Sequence, residues 1–281
     1  MIEPVCGGAA LIREIEETVV PSSGLAIWWL GQSGYLIKSS RGLLAVDLYL
    51  SEHLTRKYEN TSKPHVRMTR SPLRGEDLKG VDLLLASHKH SDHLDPGTAP
   101  AVLAASPTAA LGLPEAIREH ALSLGIANQR LIGMDSGSMC SAAGFRVRAI
   151  PSAHEEFDRD ERGRHPYLGF IIESSGLRLY HSGDSLIYPG LVETLAREKF
   201  DVLFLPINGR DPARGVPGNM SAVEAIDLAS VVKPRFVVPH HYDMFTFNTV
   251  PVADFEAEAR RLPTGTEPLV LRCGQRWELG T

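Results

Sequence analysis

The sequence predicts an α/β fold in which two mixed β-sheets pack face to face with helices on the outside. Short apolar runs of strand length come in blocks, with helix-like segments between them. Four of these runs end in a histidine or an aspartate at a turn. Composition fits an ordinary core, with 43% hydrophobic and 22% charged residues. A length of 281 residues is long for one domain but suits a single large sandwich, so residues 1–281 are read as one domain.

The elements follow in order. Leu11-Ile12-Arg13-Glu14-Ile15-Glu16-Glu17 places a short helix within 11–20. Ala26–Leu30, Tyr35–Lys38 and Leu43–Asp47 read as successive strands separated by glycine turns. Further strands are expected at Leu83–Ser87, Phe145–Ile150, Leu168–Glu173, Leu177–His181, Val202–Leu205 and Phe236–Val238. Helices are expected near 98–105, 114–124, 189–198, 221–232 and 252–262. Ser221-Ala222-Val223-Glu224 has the form of a capping box ahead of an apolar run. Two polar stretches, 51–75 and 155–166, read as long loops, and loops of that length often carry function.

The run Leu83–Ser87 leads into His88, His90, Asp92 and His93, a His-x-His-x-Asp-His pattern. In extended backbone His88 and His90 project to the same side. Asp92 and His93 then turn elsewhere, giving one cluster of two imidazoles and another of carboxylate plus imidazole. Two adjacent metal ions can share such a loop. A metal needs more ligands than one loop supplies. His154, Asp184 and the pair His240 and His241 each sit at the end of another strand-like run. Side chains at one end of neighbouring strands converge in space.

This order resembles the metallo-β-lactamase superfamily, from about Trp28 to about Phe247. The resemblance implies the αββα sandwich. It also implies that His88, His90 and His154 hold a first metal, that Asp92, His93 and His241 hold a second, and that Asp184 bridges them. Trp29-Leu30-Gly31-Gln32-Ser33-Gly34-Tyr35-Leu36-Ile37-Lys38, His181-Ser182-Gly183-Asp184, Leu205-Pro206-Ile207-Asn208-Gly209-Arg210 and Pro239-His240-His241-Tyr242-Asp243-Met244-Phe245 look like the branch containing L-ascorbate-6-phosphate lactonase. Relatives in that branch read Pro-x-His-aromatic. This favours His241 as the ligand and leaves His240 as a neighbour behind it or in the wall.

The resemblance implies a metal-dependent hydrolase that opens a lactone of a phosphorylated sugar acid, with Asp92 as both ligand and proton shuttle. The alternative on the same site is a phosphodiesterase, phospholipase-like or nuclease-like. Expected cofactors are one or two divalent ions per chain, Mn by the lactonase resemblance and Zn by the wider superfamily. Imidazole and carboxylate donors do not choose between them. Asp47 is the candidate carboxylate behind the loop, with Asp95 and His181 as weaker ones. Asn208, Arg210 and Tyr242 are the candidate substrate contacts, because arginine suits phosphate.

A net charge of −5 leans away from nucleic acid. Cys6, Cys140 and Cys273 are odd in number and widely spaced, which argues against a disulfide framework or a cysteine zinc site. No apolar run approaches a transmembrane span, and the first residues lack a signal-peptide pattern. The expectation is a cytoplasmic protein with a small anionic substrate, no nucleic-acid or membrane partner, and homo-oligomerisation left open.

Overall fold

Both faces of the first strands are buried, and their residues divide between two cores. In β1 (Leu25–Trp29), Leu25, Ile27 and Trp29 join the core between the sheets, while Ala26 and Trp28 join a second core under the helices. Period-two projection makes this division, and it explains why the strands read as continuous apolar runs. The computed structural model describes residues 1–280.

The first sheet has seven strands in the order β14-β1-β2-β3-β4-β5-β6. They are β14 (Arg276–Leu279), β1, β2 (Tyr35–Lys38), β3 (Leu43–Val46), β4 (Leu83–Leu85), β5 (Ala110–Pro114) and β6 (Leu131–Met134). The second sheet, in the order β13-β12-β11-β10-β9-β8-β7, also has seven. They are β7 (Met139–Ala142), β8 (Phe145–Pro151), β9 (Leu168–Ser174), β10 (Leu177–His181), β11 (Val202–Pro206), β12 (Phe236–His240) and β13 (Glu267–Pro268). Each sheet runs from antiparallel pairings at one edge to parallel pairings at the other. From β14 the pairs are antiparallel as far as β3 and parallel onward. From β7 they are antiparallel as far as β10 and parallel onward. The two halves therefore repeat one pattern, which the sequence did not reveal.

Helices cover the outside. α1 (Gly8–Glu17), α3 (Ala99–Ala105) and α4 (Arg118–Ser123) bury Leu11, Ile15, Val102 and Ala121 on the first sheet. α5 (Leu191–Ala196), α6 (Ala222–Val232) and α7 (Val252–Glu258) bury Leu191, Ile226 and Phe255 on the second. Trp28 ties α1 to β1 by donating from Nε1 to Glu14 Oε1 at 2.7 Å. The expected capping box is present: Ser221 Oγ accepts from the Glu224 amide, and the Glu224 carboxylate accepts from the Ser221 amide.

Several expectations need correction. The strand before His88 ends at Leu85 rather than Ser87. The stretch 51–75 contains a helix, α2 (His53–Tyr58). The segment 114–124 opens with the last residue of β5 and a 3₁₀ turn, Glu115–Ile117, before α4. Strands β5, β6, β7, β13 and β14 were not expected. No helix among the described residues is long and apolar enough to cross a membrane.

Candidate metal centre

Strands β8, β10 and β12 run in one direction, because β9 is antiparallel to both β8 and β10, and β11 is parallel to both β10 and β12. His154, Asp184 and His241 follow their C-terminal ends, as His88, His90, Asp92 and His93 follow that of β4. A turn in which the His93 and Leu94 amides both donate to the His90 carbonyl at 2.9 Å brings His93 back toward the sheet. The resulting donors fall into two groups. His88, His90 and His154 form one, and Asp92, His93, Asp184 and His241 the other, each with its ligand atoms within 4.8 Å of one another.

Asp184 lies between the groups. Its Oδ1 is 3.2 Å from His93 Nε2, and its Oδ2 is 3.3 Å from His241 Nε2 and 3.7 Å from His154 Nε2. Asp92 Oδ2 stands 3.8 Å from His93 Nε2 and 3.7 Å from His241 Nε2. His88 Nε2 and His90 Nδ1 are 3.0 Å apart. His93 Nε2 and Asp184 Oδ1 are shut off from solvent without a hydrogen-bond partner. Polar atoms buried in that way are costly, and a cation between them satisfies both. The donors are imidazole and carboxylate, which suits several divalent ions. The residues therefore fit a metal.

Behind this set, other groups fix ring orientation. Asp47, at a left-handed φ of 47°, sits 2.7 Å from His93 Nδ1 and accepts from the Ser87 amide at 2.7 Å and the Ser87 hydroxyl at 2.6 Å. This leaves His93 Nε2 to face the centre. His154 Nδ1 lies 3.1 Å from the Gly218 carbonyl, which turns Nε2 inward. His181 Nε2 lies 2.9 Å from the Ser33 carbonyl, and its Nδ1 accepts from the Gly183 amide, so this ring fixes the turn leading to Asp184. Asp95 binds Ser51, Gly97 and Thr98 rather than a ligand.

The electrostatics follow from burial and from this pairing. Burial, then His93 and His90, push the His88 imidazole well below its ordinary value. His154 is pushed down to about 4, chiefly by burial. Burial also lowers His90. These rings are neutral at neutral pH, the form that binds a metal. For His93 burial disfavours charge, but Asp184, Asp47 and Asp92 outweigh it and raise the ring well above its usual value. Burial likewise opposes charge on Asp184, yet His93 and His241 hold its carboxyl well below the ordinary range.

Between the two candidate histidines, the geometry separates the roles. His241 points into the group, whereas His240 Nδ1 is 2.9 Å from Ser33 Oγ and its ring stacks on His181 at 5.0 Å. His240 thus packs behind the site and touches no ligand by hydrogen bond. The three expected substrate contacts need correction, since none lines the cavity above the ligands. Arg210 is exposed and paired with Glu224, which turns its guanidinium away. Asn208 is buried, its amide spanning Asn248 and Asn219. Tyr242 is buried, stacked on Trp29 at 4.5 Å and donating to the Leu271 carbonyl.

The cavity measures about 450 Å³, and His90, Asp92, His154, Asp184 and His241 open into it. The stretch 51–75 reaches it through Leu54, Lys57, Tyr58 and His65, while none of residues 155–166 does. Buried Arg67 anchors that stretch by donating to the carbonyls of Ser51 and Thr69, each at 2.7 Å. Gln32 was missed. It sits at φ 52° in the turn between β1 and β2, and its Nε2 donates to Asp92 Oδ2 at 2.8 Å. Gly31 and Gly34 mark the turn in the sequence, but nothing local there singled out Gln32. Tyr167, whose ring lies 5.3 Å from His88 and 5.6 Å from His154, gave no signal.

Comparison with known proteins agrees with this architecture. The model of the Beta-lactamase superfamily domain matches residues 60–242. A "UPF0173 metal-dependent hydrolase" of Archaeoglobus fulgidus is 27% identical, with 90% of this chain and 99% of that protein covered. A "Probable L-ascorbate-6-phosphate lactonase UlaG" of Escherichia fergusonii is 25% identical over 96% of this chain and 85% of that protein. The structure of Igni18, a metallo hydrolase from Ignicoccus hospitalis, superposes with a TM-score of 0.65 at 19% identity, covering 91% of this chain and 98% of that one. With its paired seven-stranded sheets and its matched family model, the chain belongs to the β-lactamase superfamily and has the metallo-β-lactamase αββα fold.

Proposed function

We propose that this member of the superfamily, a metal-dependent hydrolase, opens a lactone of a phosphorylated sugar acid. One observation carries the reading: the two ligand groups open together into a cavity whose other charged lining residues are cationic. Similarity to proteins named as L-ascorbate-6-phosphate lactonases supports the choice of bond and substrate class.

His88, His90 and His154 would hold one divalent ion, and Asp92, His93 and His241 a second, with Asp184 shared. An ion bound there lowers the pKa of water and polarises a carbonyl oxygen. The protein's own residues do the rest. Asp92 is the group's most exposed carboxylate, with 15% side-chain exposure. Burial raises its pKa, but His93 and His241 outweigh burial, so it is ionised at neutral pH. Gln32 holds Oδ2, which leaves Oδ1 to take a proton from the attacking water. The new C–O bond forms at the carbonyl carbon, the ring C–O bond breaks, and the proton passes from Asp92 to the departing ring oxygen. Asp47 and Gly218 keep the His93 and His154 rings from turning.

The test compares protein loaded with Mn or with Zn on L-ascorbate 6-phosphate, simple sugar lactones and bis-p-nitrophenyl phosphate. Lactone turnover that His88→Ala abolishes is expected. Turnover of the phosphodiester alone would replace this reading with a phosphodiesterase.

A further inference from the structure

The cavity carries two positive charges, on Lys57 and Lys89, that the metal centre does not use. Lys57 from the last turn of α2, Lys89 between the ligands His88 and His90, and His120 from α4 all line it. Both lysines are exposed, and neither forms an ion pair among the described residues. Lys57 Nζ stands 5.2 Å over the centre of the Tyr58 ring, which also lines the cavity. His120 Nε2 is shut off from solvent and bonded to nothing. All three line the same cavity, and burial first, then the charges of Lys89 and Lys57, lower the His120 imidazole. The only carboxylates in the lining, Asp92 and Asp184, belong to the metal ligands. Two unpaired lysines on the wall of this cavity, in a chain with net charge −5, favour an anion there.

We propose that Lys57 and Lys89, with His120 in the same wall, bind a phosphate group of the substrate, remote from the bond that is cleaved. A phosphate monoester carries close to two negative charges and three acceptor oxygens. Two ammonium groups match that charge, and lysine binds phosphate as a point charge. The subsite lies in helices and loops other than the Asn208–Arg210 turn, and Lys89 ties it to the ligand loop. It rests on the proposed function for the reacting bond and for a phosphorylated substrate.

The test uses the full-length, metal-loaded protein with glucono-δ-lactone and its 6-phosphate, and inorganic phosphate as a calorimetric probe. Lys57→Ala is expected to lower the kcat/KM ratio of phosphorylated to unphosphorylated lactone by about tenfold. It should weaken inorganic phosphate binding by a similar factor, and Lys57→Arg should restore both. Lys57 is exposed, so its substitution does not threaten the fold. If neither lactone is opened but phosphate binding still weakens in Lys57→Ala, the subsite stands and the lactone reading fails. If the wild type does not discriminate between the lactones and phosphate binds wild type and Lys57→Ala alike, the subsite is overturned while the hydrolase reading stands.

Discussion

The side-chain amide of Gln32, on the turn between β1 and β2, donates to Asp92 Oδ2 across 2.8 Å, joining two loops sixty residues apart. The same nitrogen is 3.0 Å from His241 Nε2. Gln32 is in turn fixed by its backbone, because its carbonyl accepts from Trp29 Nε1 and from the His241 amide, each at 3.0 Å. Losing the amide frees the Asp92 carboxylate to rotate. Gln32→Leu should lower kcat for the lactone about 10- to 100-fold, the range for groups that orient ligands. Steady-state kinetics beside a metal-content measurement checks it, since a loss of kcat at unchanged metal content is expected.

Asp47 holds His93 in the same sense, at 2.7 Å. Asp47→Ala should weaken divalent-metal affinity by about 10- to 100-fold, measured by competition with a chelator. Unchanged affinity would mean that His93 is oriented by other contacts.

His154 gives a pH dependence with a defined sign. Its pKa in the metal-free protein is about 4, against an ordinary value of 6.5. Between those values the unfolded chain binds the proton and the folded chain does not, so stability rises with pH across that window. The stabilising contribution is complete above about pH 6.5 and lost as pH falls toward about 4. In the metal-free state, wild type should therefore lose stability relative to His154→Gln over that fall. Denaturant titrations of both proteins at several pH values check it.

The capping box at α6 contributes to stability outside the site. Ser221→Ala removes the acceptor for the Glu224 amide and should cost about 1 kcal/mol. A Tm lowered by about 2 °C is expected in a chain of this size.

How much of this was legible in the sequence depended on what each residue answers to. The ligand loops were readable because each needs a buried strand directly before it, and such strands announce themselves as apolar runs at Leu83, Leu177 and Phe236. The repeat of strand order was not readable, because pairing between distant segments leaves no local pattern. Strand β14 pairs with β1 from the far end of the chain through Arg-Trp-Glu-Leu, a half-exposed segment. The substrate residues were misread for a physical reason. Arg210 has the right chemistry for phosphate, but it lies one strand end away and its charge is already met by Glu224. Lys57 lies in the stretch 51–75 that reads as a functional loop, Lys89 carries no local signal, and only the fold brings α2, α4 and the ligand loop around one cavity.

The most direct measurement is the number of divalent ions retained per chain after loading with Mn or Zn and desalting, for wild type and for Asp184→Ala. Because Asp184 reaches His93, His241 and His154 within 3.2 to 3.7 Å, two ions are expected in the wild type and at most one in the variant. A wild-type protein that retains none, or a variant that retains as many as the wild type, would contradict a centre built around Asp184.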